Sequence, residues 1–184
     1  MQLALISLKS EQLPQYHYLI LERLGKSLAT MPPIIYEESK LDPDREQIRL
    51  LELAPGGPDD ELIATLSTAS LESSPPYEAL SYVWGDMTTP RSIRLQSSSF
   101  AITKNLEVAL RGLRKVDQAR TLWVDAICID QDDLLERQAQ VQLMKRIYSR
   151  SSRVLTWLGE EEEGDKELFD FLASLSKWDV CFHP

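Results

Sequence analysis

The sequence predicts an α/β fold in which a parallel β-sheet is flanked by helices on both sides. From Tyr77 onwards, runs with the composition of strands alternate with amphipathic helical patterns. Two of these runs, Thr121–Ile127 and Arg153–Leu158, are mostly apolar, as expected of strands that are covered on both faces. A chain of 184 residues with 43% hydrophobic residues suffices for one domain with its own core.

The first part of the chain, residues 1–46, is predicted to be a helical extension and linker. Met31-Pro32-Pro33 ends its helix, because a residue that precedes proline leaves the α region. The helix is indicated over about 12–30 by apolar residues at helical spacing, namely Leu13, Tyr16, Ile20, Leu24 and Leu28.

The domain itself is expected over residues 47–184. It begins with an added β-hairpin of Gln47–Leu53 and Leu62–Ser67, joined by the turn Pro55-Gly56-Gly57-Pro58. The strand Tyr77–Val83 follows, and two short strands are expected over Ser92–Leu95 and Phe100–Ile102.

Helices separate the later strands. Thr103 is expected to cap a helix whose buried residues are Leu106, Ala109, Leu110 and Leu113. Asp133 with Glu136 three residues later resembles a capping box with Asp in place of Ser, and opens a second helix. Its inward residues are expected to be Leu134, Val141, Met144, Ile147 and Tyr148. After Arg153–Leu158, Gly159 should end the strand, and a last helix is expected from Asp165 to about Trp178.

Charge and cysteine content exclude several classes of function. The net charge of −9 argues against a nucleic-acid binder, which needs clustered Lys and Arg for phosphate contacts. Two cysteines and two histidines form neither a disulfide framework nor a zinc motif, so we expect no metal. No apolar run is long enough to span a membrane or to serve as a signal peptide, so a cytoplasmic protein is expected.

Polar clusters follow three of the predicted strands. They are Trp84-Gly85-Asp86, the segment Asp125–Asp133, and the acidic run Glu160–Glu163. Because open parallel sheets bind ligands at the carboxyl ends of their strands, these clusters predict one acidic cleft lined by aromatic residues.

Three blocks of the sequence within residues 77–159 together form a recognisable pattern. They are Tyr77-Glu78-Ala79-Leu80-Ser81-Tyr82-Val83-Trp84-Gly85-Asp86, Trp123-Val124-Asp125-Ala126-Ile127-Cys128-Ile129-Asp130-Gln131, and Val154 through Trp157-Leu158-Gly159. In this order the blocks resemble the HET (heterokaryon incompatibility) family of fungal self/non-self recognition proteins. With the lead-in from Ile48, the resemblance covers about residues 47–160.

The family is more remotely similar to TIR domains, which implies a TIR-like, flavodoxin-like parallel sheet and a further activity. Some TIR domains cleave NAD at the nicotinamide–ribose bond with a glutamate that follows their third strand. The resemblance therefore implies NAD as a substrate, with no other cofactor. It leaves the catalytic residue open among Glu160, Glu161, Glu162, Glu163 and Glu167.

Substrate contacts are expected from residues near the same strand ends. Trp84 is suited to stack on a base, and the amides of the Trp84–Asp86 turn or the guanidinium of Arg137 suit a pyrophosphate. The predicted substrate-binding residues are Trp84, Gly85, Asp86, Asp125 and Arg137, whereas Asp133 and Glu136 are assigned to helix capping.

The same residues also have structural interpretations. Trp84 would then fill the core, Asp86 would close a turn, and Asp125 would form an ion pair with Arg137.

The leading hypothesis for function is an assembly-activated NAD glycohydrolase that triggers programmed cell death, and two alternatives stay open. One is a non-catalytic, self-assembling adaptor that acts with an upstream receptor or partner domain. A weaker one is a metal-dependent hydrolase that uses the aspartates of Asp125–Asp133. A C-terminally truncated form of the family is also expected.

Overall fold

The computed structural model describes residues 3–8, 34–42, 45–160 and 179–183. The predicted helices over 12–30 and 165–178 lie outside these residues, as do Glu161–Glu163 and Glu167. The described strands are β1 (Leu3–Leu8), β2 (Gln47–Leu53), β3 (Ile63–Ser70), β4 (Glu78–Tyr82), β5 (Arg91–Leu95), β6 (Ser98–Ile102), β7 (Arg120–Trp123), β8 (Arg153–Glu160) and β9 (Asp179–His183). The described helices are α1 (Ile34–Glu38), α2 (Lys104–Leu113), α3 (Asp125–Cys128) and α4 (Leu134–Arg150).

All the described strands belong to one mixed sheet with the order β6-β5-β3-β2-β7-β4-β8-β1-β9. Its centre is parallel, because β4 pairs in parallel with β7 on one side and with β8 on the other. In chain order these three strands are arranged second, first, third, which is also how flavodoxin-like sheets begin. The predicted combination of strands and helices is therefore confirmed at the level of a mixed α/β fold.

Outside this centre the expectation of a parallel sheet is mostly wrong, because among the remaining pairs of described strands only β3–β5 is parallel. The pairs β2–β3, β2–β7, β5–β6, β1–β8 and β1–β9 are all antiparallel. Parallel neighbours need a long crossover, usually with a helix, and the chain provides one between β4 and β7 and another between β7 and β8. Short loops join β2 to β3 and β5 to β6, so these pairs form antiparallel hairpins.

Local signals located the hairpin and the helix α2 correctly. Strands β2 and β3 pair along their length, from Gln47 opposite Ser70 to Leu53 opposite Ala64. The hydroxyl of Thr103 accepts a hydrogen bond from the amide of Leu106 at 3.2 Å and so caps α2. The buried residues of α2 are the four that were predicted: Leu106, Ala109, Leu110 and Leu113.

The apolar run Thr121–Ile127 is only partly a strand. β7 ends at Trp123, and the next residues turn into α3, in which the amide of Cys128 donates to the carbonyl of Val124 at 2.7 Å. Both conformations bury the run, and an apolar composition alone does not separate a buried strand from a short buried helix. Asp125 therefore lies in the first turn of a helix and not in a strand.

Two further expectations about element ends are corrected. Leu134 in the first turn of α4 is 65% exposed, whereas Gln140 is buried and donates to the carbonyl of Gln47 at 2.8 Å. Strand β8 continues past Gly159 to Glu160, because β1 pairs alongside it, with Leu3 opposite Glu160.

Parts of residues 1–46 belong to the same sheet and core as the predicted domain. β1 lies between β8 and β9 in the sheet. Ile35 and Tyr36 of α1 are buried in the main hydrophobic cluster, where the Tyr36 hydroxyl donates to the carbonyl of Ile127 at 3.0 Å. On the same core, Trp123 of β7 packs edge-to-face against Tyr148 of α4 with 5.5 Å between ring centroids.

Candidate functional site

The carboxyl ends of the parallel strands bring Trp84 and Asp125 into contact. Trp84 follows β4, and its indole Nε1 donates a hydrogen bond to Oδ2 of Asp125 at 2.9 Å. The other carboxylate oxygen, Oδ1, accepts from the amide of Ala126 at 2.8 Å. Two of the predicted substrate-binding residues thus lie together at the expected edge of the sheet, with Trp84 half-buried and Asp125 only 5% exposed.

The buried carboxyl of Asp125 has unusual acidity. Burial raises its pKa to about 6, against the opposing effect of the hydrogen bonds from Trp84 and Ala126. An ordinary aspartate carries no proton near neutral pH, whereas this group exchanges one in the range where general acid–base catalysis is efficient.

Tyr82, at the end of β4, is a site residue that the sequence analysis did not select. Its hydroxyl is buried and has no hydrogen-bond partner among the residues that the structure describes. Burial, and then the charge of Asp125, raise the pKa of Tyr82 well above its usual value. The phenol therefore stays neutral beside the site and keeps its hydrogen-bonding capacity free. Its apolar ring and strand position resemble those of any core residue, so no sequence signal distinguishes it.

Asn105 in α2 is a second residue that sequence reasoning missed. Its side-chain amide donates to the carbonyl of Val83, and its Oδ1 accepts from Nε1 of Trp157 at 2.8 Å. The loop after β4 is thereby tied to both α2 and β8. A polar residue in the first turn of a helix usually faces water, which is why the sequence gives no indication of this role.

Gly85 and Asp86 complete the loop after β4. Gly85 has a φ of +78°, and a Cβ added there would lie 3.3 Å from Cβ of Asn105, so both conformation and space favour glycine. Asp86 accepts hydrogen bonds from the amide of Thr88 at 2.8 Å and from its hydroxyl at 2.7 Å. Asp86 therefore closes a local turn, as its structural interpretation predicted.

The predicted ion pair between Asp125 and Arg137 is wrong. Arg137 donates to the carbonyl of Gln131 at 3.2 Å, and the carboxylate of Asp125 is instead satisfied by Trp84 and Ala126. Because a buried carboxylate needs partners but not a particular one, composition alone did not identify which donors would supply them.

The two residues assigned to capping behave differently. Oδ1 of Asp133 accepts from the amides of Leu135 and Glu136 at 2.9 and 3.0 Å and so caps α4. The carboxylate of Glu136 accepts from the amide of Asp130 at 2.7 Å and does not return to the amide of Asp133. The expected capping box is thus only half formed.

Glu136 is held by Arg49, a fully buried residue of β2 that sequence reasoning also missed. Two guanidinium nitrogens of Arg49 donate to the two oxygens of Glu136, at 2.5 and 2.9 Å. Arg49 also donates to the carbonyls of Cys128 at 3.2 Å and Ser39 at 2.8 Å. This buried cation fixes the segment between α3 and α4, which follows the short helix that begins at Asp125.

The acidic candidates for catalysis remain predictions. Glu160 is the last residue of β8, and the backbone of β8 runs parallel to β4, so β8 ends at the edge of the sheet that carries Trp84. Among the described residues, no group of three His, Cys, Asp or Glu side chains is placed to hold a metal ion. The part of the chain that the structure describes also contains no helix that is long and apolar enough to cross a membrane.

Comparison with known proteins identifies the family. The sequence model of the family described as heterokaryon incompatibility protein (HET) matches residues 77–181. Heterokaryon incompatibility protein 6, OR allele, of Neurospora crassa is 35% identical over 156 residues, which cover 77% of this chain and 23% of that protein. The chain thus spans about a quarter of the length of this relative. No solved structure matches the chain significantly. The match covers all three core blocks, and the chain therefore belongs to the heterokaryon incompatibility (HET) family.

Proposed function

We propose that this chain acts in fungal heterokaryon incompatibility, as an effector that discriminates self from non-self and triggers cell death by hydrolysing NAD. Family membership and the name of the Neurospora relative support the biological role. The observation that supports the chemistry is the contact between Trp84 and Asp125 at the carboxyl edge of three parallel strands.

The proposed reaction matches the properties of these two residues. Breaking the nicotinamide–ribose bond develops positive charge on the ribose, which a nearby carboxylate stabilises. With a pKa of about 6, Asp125 is mostly ionised at neutral pH, so it is able to counter that charge or to accept hydrogen bonds from ribose hydroxyls. The half-buried indole of Trp84 offers a stacking surface for a base.

The remaining catalytic group in this proposal is one of the predicted glutamates, Glu160–Glu163 or Glu167. The parallel pairing of β4 and β8 supports this choice, because it places the end of β8, at Glu160, at the same edge of the sheet as Trp84. Gly85, with its positive φ, adds a stretch of backbone without a side chain at that edge. Activation by self-association, in response to an upstream receptor or partner domain, completes the proposal.

The test is nicotinamide release from NAD by the purified full chain at high protein concentration. We expect turnover in the parent protein and a loss of roughly 100-fold or more when the responsible glutamate is changed to Ala. Asp125→Asn should also reduce turnover, whereas Glu52→Ala, at an exposed position of β2, is the matched control and should not. Absence of turnover even under crowding that forces assembly would refute the NAD part of the proposal.

One observation favours the non-catalytic alternative, a module that signals by assembling with copies of itself. Val83 is 76% exposed and Leu158 is 52% exposed. Each directly follows one member of the pair Tyr82–Trp157 of β4 and β8, so the two residues come together where this pairing ends. Neighbouring exposed apolar side chains are typical of interaction surfaces.

The alternative has its own test in fungal cells that express the chain. If assembly is the signal, Val83→Glu should abolish both self-association, measured by light scattering, and cell death, while cellular NAD stays constant throughout. Val116→Glu is the matched control, because Val116 is also 76% exposed but lies between α2 and β7. Cell death that always coincides with NAD loss would instead support the enzyme.

A further inference from the structure

The opposite, amino-terminal edge of the three parallel strands carries a separate cluster of charges. Glu78 begins β4, and its two carboxylate oxygens accept hydrogen bonds from Arg120 at the start of β7 and from Arg153 at the start of β8. Parallel pairing aligns these strand starts, with Glu78 opposite both Leu122 and Arg153. The cluster therefore follows from the same sheet order that builds the Trp84 edge.

An open cleft of about 270 Å³ lies over this cluster. We call it the amino-edge cleft, and its polar lining consists of Glu78, Lys115, Arg120, Thr121, Ser152 and Arg153. The lining thus contains three cationic side chains and a single carboxylate, on a chain whose net charge is −9. A local excess of positive charge on an acidic protein favours an anionic ligand at this position.

The two arginines of the cleft are held in place before any ligand arrives. Arg120 is only 7% exposed, and its guanidinium is fixed by Glu78 and by a hydrogen bond of 2.7 Å to the carbonyl of Leu113. Arg153 has a side chain that is 45% exposed, so part of its guanidinium faces the solvent. The buried Arg120 therefore has a fixed orientation, and the accessible Arg153 can be reached by a ligand from the solvent.

Glu78 does not cancel this charge. Burial alone would raise the pKa of its carboxyl, but the hydrogen bonds and charges of Arg120 and Arg153 outweigh that effect and lower it. Glu78 is therefore ionised at neutral pH and orients both arginines, while the three cations still outnumber it.

We propose that the amino-edge cleft is a second binding site, which takes the phosphate group of a small soluble molecule. Planar guanidinium groups match the geometry of phosphate oxygens, and fixed arginines lose little freedom when they bind. The volume lies at or below the lower end of the range for ligand pockets, which suits phosphate, pyrophosphate or a sugar phosphate rather than a whole dinucleotide. The site lies at the opposite edge of the parallel strands from Trp84 and does not depend on the proposed NAD chemistry.

The probe is pyrophosphate, titrated calorimetrically into the full-length chain. We expect saturable binding with one site, and a loss of affinity of roughly tenfold or more in Arg153→Gln and in Lys115→Gln. Arg94→Gln is the matched control, because Arg94 is 47% exposed, also pairs with a glutamate, Glu61, and carries the same charge, but lies in β5. Circular dichroism and melting temperature verify that each variant is folded.

Three outcomes would overturn the proposal. The first would be the absence of saturable binding at millimolar pyrophosphate. The second would be an Arg94→Gln variant that weakens binding as much as Arg153→Gln, which would indicate a general charge effect. In the third outcome, the chain sediments with vesicles that contain phosphatidic acid but does not bind soluble pyrophosphate, which would assign the cleft to lipid headgroups. NAD turnover is measured separately in the same variants, so that failure of this site and failure of the proposed function are distinguished.

Discussion

At Asp125 the protein holds a carboxyl group that is 5% exposed and has a pKa of about 6. In the unfolded chain the same group titrates near its ordinary value of 3.8. Between these values the folded state keeps the proton and the unfolded state has lost it, so the free energy of unfolding falls as the pH rises through this window. The penalty is complete above about pH 6 and amounts to roughly 3 kcal/mol.

We predict that Asp125→Asn removes this pH dependence. The pH dependence is measured by denaturant unfolding of the parent and the variant at about pH 4.5 and about pH 7.5. The free energy of unfolding of the parent, relative to that of the variant, should be higher at the lower pH. Asp86→Asn is the control with the opposite sign, because hydrogen bonds from Thr88 lower the pKa of the exposed Asp86 carboxyl. If parent and Asp125→Asn respond identically to pH, the carboxyl is not protonated in the folded state as described.

Single residues were predictable where their role is local, and not where it depends on a distant partner. Asp133 caps the helix that it precedes, and this needs only neighbouring amides. Trp84 and Asp125 were both selected as substrate-binding residues, but their mutual hydrogen bond joins residues 41 positions apart. The structural interpretation of Asp125 paired it with Arg137 instead. The roles of Asn105 and Arg49 likewise depend on which strands and helices become neighbours.

Between elements, the buried pair of Arg49 and Glu136 connects β2 to the start of α4. Arg49 has a side chain that is 1% exposed and Glu136 one that is 12% exposed, so both groups have left water and depend on each other. Removing one partner of such a pair leaves an uncompensated charge, which costs about 3–5 kcal/mol. The carbonyls of Ser39 and Cys128 would also lose their donor.

We predict that Arg49→Met destabilises the chain by about 3–5 kcal/mol. In a double-mutant cycle, Arg49→Met with Glu136→Gln should cost clearly less than the sum of the single changes, because the double variant has no unpaired charge. Urea unfolding provides the values. Arg94→Met, which removes one partner of an exposed ion pair with Glu61, should change stability by about 1 kcal/mol or less. Additive costs in the cycle would show that the two side chains do not stabilise each other.

Elements with local signals at both ends were predicted well. Helix α2 has a capping threonine and a regular buried stripe, and the β2–β3 hairpin has a strong turn between two strand-like runs. The boundary between β7 and α3 was missed, because the run from Thr121 to Ile127 is apolar throughout and becomes buried in either conformation. The strand β1 was missed because its apolar residues lack a neighbouring turn or partner in sequence.

For the whole molecule, the order of strands determines where function is placed. The centre β7-β4-β8 puts Trp84 and Asp125 at one edge and Glu78, Arg120 and Arg153 at the other. The resemblance to TIR domains implied a flavodoxin-like parallel sheet, but neither it nor hydropathy showed that mostly antiparallel pairs extend the sheet on both sides. That arrangement arises from hairpins and from β1, whose partner β8 begins about 150 residues later.

The insertion of β1 between β8 and β9 leads to a prediction about the stability of the sheet. Among the described strands, β9 pairs with β1 alone, and β8 has β1 on one side and β4 on the other. Deletion of residues 1–8 should therefore leave β9 without a partner and open one edge of β8. Unpaired edges expose amides to exchange and promote association between chains.

Hydrogen exchange and light scattering on the deletion variant measure these effects. We expect exchange in β8 and β9 to accelerate by roughly tenfold or more, with β5 and β6 unchanged, because the latter lie at the far end of the sheet. Ile6→Pro, which retains the chain length but removes an amide at a position opposite both Thr156 and Val180, should have an intermediate effect. Unchanged protection of β8 in both variants would mean that β1 does not close the sheet. Increased exchange confined to β8 and β9, with protection of β4 and β7 retained, would mean that the parallel centre and the Trp84–Asp125 site form without the N-terminal strand.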